Sequence, residues 1–106
     1  MRSNTTIVRN KVRDHISEYF NKDNGWDSDD VIANIKSQLK SFDHMPNTYS
    51  KAAYMVDGGT FLAYHTDVTE FILSLDLNFS DREYDNMKQW ELYKHLVARE
   101  IEKMVA

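Results

Sequence analysis

Apolar residues recur three and four positions apart along most of this chain, which is the period of a helix rather than a strand. Val8, Val12, Ile16 and Tyr19 or Phe20 predict a first helix over residues 5–20, with Arg9 and Arg13 four apart on a neighbouring face. "NKDNGW" ends it, with Asn24-Gly25 as the break. A second helix starts at "WDSDD". Asp27 or Ser28 can cap it, and Asp29 and Asp30 suit the positive end of the helix dipole. Val31, Ile35, Leu39 and Phe42 form its apolar stripe, and Pro46 prevents continuation. Thr48 is the expected cap of a third helix, "YSKAAYMVD". Its apolar side is Tyr49, Ala52, Ala53 and Val56, and the small alanines would let another element approach closely.

Gly58 then falls where a helix end often takes a left-handed residue. "TFLAY", residues 60–64, fits a buried extended connection, a single short strand or a helical turn. Thr66 or Asp67 is the expected cap of a fourth helix, with Val68, Phe71, Ile72 and Leu75 inward. For the last helix Ser80 and Glu83 have capping-box spacing, with Asp85 as a rival cap. Met87, Trp90, Val97, Ile101 and Met104 follow the period, and Leu92, Tyr93 and Leu96 widen the stripe. So wide a stripe predicts a helix packed centrally against several partners. The expected fold is all-α: one domain over residues 1–106, a compact bundle of about five helices, with room for one short extended segment at 60–64.

Composition agrees. One proline and three glycines are too few for the many turns of a sandwich or barrel. No cysteine is present, which excludes disulfides, thiolate metal sites and cysteine nucleophiles. A cytoplasmic location is expected, since the chain gains nothing from an oxidising compartment. No apolar run approaches the roughly 18 residues of a membrane span, and "MRSNTTIVRNKVRDH" lacks the apolar centre of a signal peptide.

Charge changes the picture more. The net charge is −4, but it is unevenly spread. Residues 2–13 carry Arg2, Arg9, Lys11 and Arg13 with no acid. From residue 57 to 85 the acids are Asp57, Asp67, Glu70, Asp76, Asp81, Glu83 and Asp85, against Arg82 alone. Solvated helix faces account for this plainly. The sharper reading is an acidic surface that meets a basic partner.

Candidate chemistry is sparse. Gly58-Gly59 has no following lysine and is surrounded by acids, so helix termination explains it better than phosphate binding. His15, His44, His65 and His95 show no recognisable metal spacing. Glu91 and His95, four apart, could face one site, but His95 fits better as a hydrogen-bonded histidine at the core edge. No serine sits in a strained nucleophile elbow. A basic first helix could meet phosphates, although the overall negative charge opposes it. No cofactor and no metal is expected.

The stretch "YSKAAYMVDGGTFLAYHTDVTEFILSL" followed by "WELYKHLVAREIEK" resembles a set of small proteins encoded by phages and mobile elements of low-GC Gram-positive bacteria. The resemblance is clearest over residues 49–103. Its characteristic positions are Gly58, Phe61, Leu62, Tyr64, His95, Leu96, Arg99 and Glu100, which look like fold determinants. Arg99 could pair with a buried carboxylate. In a second reading Tyr64, His95 and Arg99 line one polar cleft. The resemblance carries no catalytic residue with it.

The setting it implies favours action by binding. The first expectation is a non-enzymatic inhibitor of a host defence nuclease, of the anti-CRISPR kind, whose carboxylates imitate a phosphate backbone. The alternative is an accessory protein that binds a replication, transfer or regulatory partner, or DNA. The third is a small enzyme using the Tyr64/His95/Arg99 cleft. A protein partner is expected and a membrane is not, with the chain a monomer or small homo-oligomer.

Overall fold

The computed structural model describes residues 4–20, 27–58, 65–75 and 89–106. They form an all-α bundle with five helices and no strand among the described residues: α1 (Asn4–Phe20), α2 (Ser28–Lys40), α3 (Thr48–Asp57), α4 (His65–Ser74) and α5 (Gln89–Val105). The extended segment considered at 60–64, the Ser80/Glu83 capping box and Met87 lie outside the described residues.

Helix α5 packs against all four others, most extensively against α3. This is what its wide apolar stripe predicts. Val12, Ile16 and Phe20 of α1, Val31, Ile35 and Leu39 of α2, and Val68 and Ile72 of α4 are buried against Leu92, Tyr93, Val97, Ala98 and Ile101 of α5 in one core. The α3–α5 approach rests on small side chains, since Ala52 and Ala98 are both fully buried. Met55 joins Ala52 and Val56 on the buried side of α3, a position the sequence stripe omits. Burying one large aliphatic side chain contributes about 1.5–3 kcal/mol, against about 1 kcal/mol for a cap. The core therefore decides where the helices lie, and the caps decide where they begin.

The caps correct three expectations. Asp27 does cap α2, its Oδ1 accepting the Asp30 N–H at 2.9 Å. At α3 the cap is Asn47, not Thr48. Asn47 has extended backbone, and its Oδ1 accepts the Ser50 N–H at 2.8 Å. Thr48 is the first helical residue. Likewise α4 already includes His65, so Thr66 and Asp67 lie within its first turn instead of preceding it. Gly58 is not left-handed: its φ is −72° and ψ is 4°. Its N–H donates to Tyr54 O at 2.9 Å, so the helical hydrogen-bond pattern runs through it. What favours glycine there is space, because a Cβ would come within 3.3 Å of that same carbonyl oxygen.

Candidate functional site

Helix α5 carries three polar side chains into the bundle, each to a different neighbour or end. Tyr93, fully buried, shares a 2.8 Å hydrogen bond between its hydroxyl and His15 Nε2 on α1. Phe71 of α4 closes this junction edge-on to Tyr93, with ring centroids 5.4 Å apart, and Trp90 stacks on Tyr93 at 5.6 Å. Beside it, Thr69 Oγ1 of α4 donates to Gln89 Oε1 at 2.5 Å.

His95 faces α3, where its Nδ1 and the Tyr49 hydroxyl share a 2.9 Å hydrogen bond. This is the core-edge histidine the sequence suggested. Arg99, exposed, is close enough to depress its pKa further after burial has lowered it. Tyr64, the third member of the cleft reading, lies outside the described residues.

Two turns beyond Tyr93 on the same face, Glu100 is only 3% exposed. Arg13 of α1 donates from Nε to Glu100 Oε1 at 2.6 Å, and Arg9 Nε lies 4.0 Å from the same oxygen. The buried carboxylate is thus met by Arg13, from the opposite end of the chain, and not by its neighbour Arg99, which is exposed. The sequence signal was available: Glu100 falls three residues after Val97 and four before Met104, inside an apolar stripe.

Of the acidic positions, Glu70 is exposed on α4 and Asp57 is exposed at the end of α3. Lys94 reaches Glu91 at 3.0 Å and Asp57 at 3.2 Å. These contacts, Glu91 first, raise the pKa of its ammonium. One cation shared by two carboxylates leaves that corner negative. Asp67 lies in the first turn of α4, and Asp76, Asp81, Glu83 and Asp85 lie outside the described residues. Among the described residues no group of three or more His, Cys, Asp or Glu could hold a metal, and no helix is long and apolar enough to cross a membrane.

The half-buried His15 gives a testable pH dependence. Burial lowers the His15 pKa below the usual imidazole value of about 6.5, more than Glu18 raises it. The folded state then binds fewer protons than the unfolded chain, so stability is full above about 6.5 and falls as pH drops toward the folded pKa. Thermal melts of wild type and His15→Gln should converge as pH falls from about 7.5 to 5. Parallel curves would mean that His15 charges without cost.

Compared with protein-family models, curated proteins and solved structures, the chain finds no match in any of the three.

Proposed function

We propose that this protein acts by binding, and that its acidic side covers the basic nucleic-acid channel of a nuclease, in the manner of a phage-encoded inhibitor of host defence. The observation that carries this reading is the segregation of charge. Seven carboxylates against one arginine occupy residues 57–85, and Asp57 and Glu70 both stand at the surface. At the other end of the chain Arg9 and Arg13 of α1 face Glu100, which offsets one of their two charges. The phage and mobile-element setting implied by the resemblance supports the same class of partner.

Asp57 is tied to Lys94, so the decisive test leaves it alone. The variant Asp67→Asn, Glu70→Gln, Asp81→Asn, Glu83→Gln removes four charges with near-isosteric side chains, and circular dichroism checks its fold. A partner captured by wild type from a Gram-positive lysate should survive nuclease treatment and be lost in moderate salt, where screening shortens to about 10 Å or less. Cleavage by the purified partner should be inhibited by wild type, and roughly 100-fold less well by the variant, at under 1 kcal/mol per charge. Equal inhibition by the two proteins would end the charge-mimic mechanism.

A further inference from the structure

Glu100 needs one guanidinium and has two. A buried carboxylate is compensated by a partner that both neutralises it and hydrogen-bonds to it. Arg13 does both at 2.6 Å. Arg9, one turn earlier on α1, approaches the same oxygen only to 4.0 Å, too far for a hydrogen bond. The two arginine side chains are 46% and 47% exposed, whereas Glu100 is 3% exposed. Neither arginine has another acceptor among the described residues. Two cations against one anion leave a positive charge fixed at the α1–α5 seam. The guanidinium donors that Glu100 does not use are left to an outside acceptor.

We propose that Arg9 and Arg13 form a binding site for a phosphate group, with Glu100 holding Arg13 in place. Residues four apart on a helix lie about 6 Å apart along its axis, on one face. Guanidinium forks at that spacing can each take two oxygens of one tetrahedral group. A carboxylate has only two oxygens, which a single fork fills. Lys11, two positions from either arginine, points about 200° round the helix and cannot join them. The site therefore suits one phosphate, not a long run of backbone. The group that fits is a phosphate monoester, whose three free oxygens serve both forks; a diester linkage has two free oxygens and offers them no more than a carboxylate does.

The experiment follows the arginine Nε–Hε signals by NMR while inorganic phosphate is added. Sodium chloride at matched ionic strength and sodium acetate are the controls. Phosphate should shift the Arg9 and Arg13 signals saturably, with chloride and acetate far weaker. Arg9→Gln removes an exposed side chain that makes no hydrogen bond, so the fold should persist, checked by circular dichroism, while phosphate affinity falls at least roughly tenfold. A nucleoside 5′-monophosphate and an oligonucleotide without terminal phosphates then separate the sources. Tighter binding of the first is expected, and tighter binding of the second overturns the two-fork geometry. An equal response to acetate or chloride, or an unchanged phosphate response in Arg9→Gln, overturns the site.

Discussion

Tyr93→Ala is expected to destabilise the protein by about 4 kcal/mol, read from urea or thermal unfolding. Tyr93 is fully exposed to none of the solvent and fully committed to the junction of α1, α4 and α5. Removing its ring empties the space between Phe71, Trp90 and His15 and also strands the His15 imidazole. A domain of this size has about 5–15 kcal/mol of stability in all, so the loss is a large fraction of it. Each kcal/mol moves the melting temperature by about 4–8 °C. Tyr93→Phe separates the two contributions. It keeps the ring and removes only the hydroxyl, so it should cost about 1 kcal/mol. A Tyr93→Ala loss no greater than that of Tyr93→Phe would show that the ring packs against nothing rigid.

The apolar stripes were legible because helical period and burial share one cause: a residue three or four positions on returns to the same face. Val31, Ile35 and Leu39 are all buried as their spacing required. The caps were less legible. Asn47 and Thr48 are adjacent and both suit a helix start, and only the backbone conformation chooses Asn47. Pairings across the bundle were not legible at all. His95 reads from the sequence as hydrogen-bonded, but its partner Tyr49 is 46 positions away. Which helix faces which is decided by packing, not by any local pattern. Glu100 and Arg13, 87 positions apart, show the same limit. The acidic run could be counted from sequence, yet counting did not reveal that Asp57 shares Lys94 with Glu91.

Arg13→Ala should be the most costly change of a charged residue, about 2–3 kcal/mol by urea unfolding. Breaking a buried pair from one side leaves a desolvated charge, which typically costs about 3–5 kcal/mol. Arg13 is itself 47% exposed, so water can partly replace it and the lower figure applies. Arg9→Ala should cost no more than about 0.5 kcal/mol, because its contact with Glu100 is long and its side chain is half in solvent. The decisive comparison is the double variant Arg13→Met, Glu100→Leu. If the Arg13→Ala loss comes from an orphaned carboxylate, removing that carboxylate as well should recover most of the stability, and the two sites will be strongly non-additive. If the double variant is as unstable as the sum of its parts, the ion pair holds α1 on α5 through packing of its stems. The distinction bears on function. A seam that stays as stable with apolar residues does not need its charges for folding. The two arginines and the glutamate there would then be explained by what they bind.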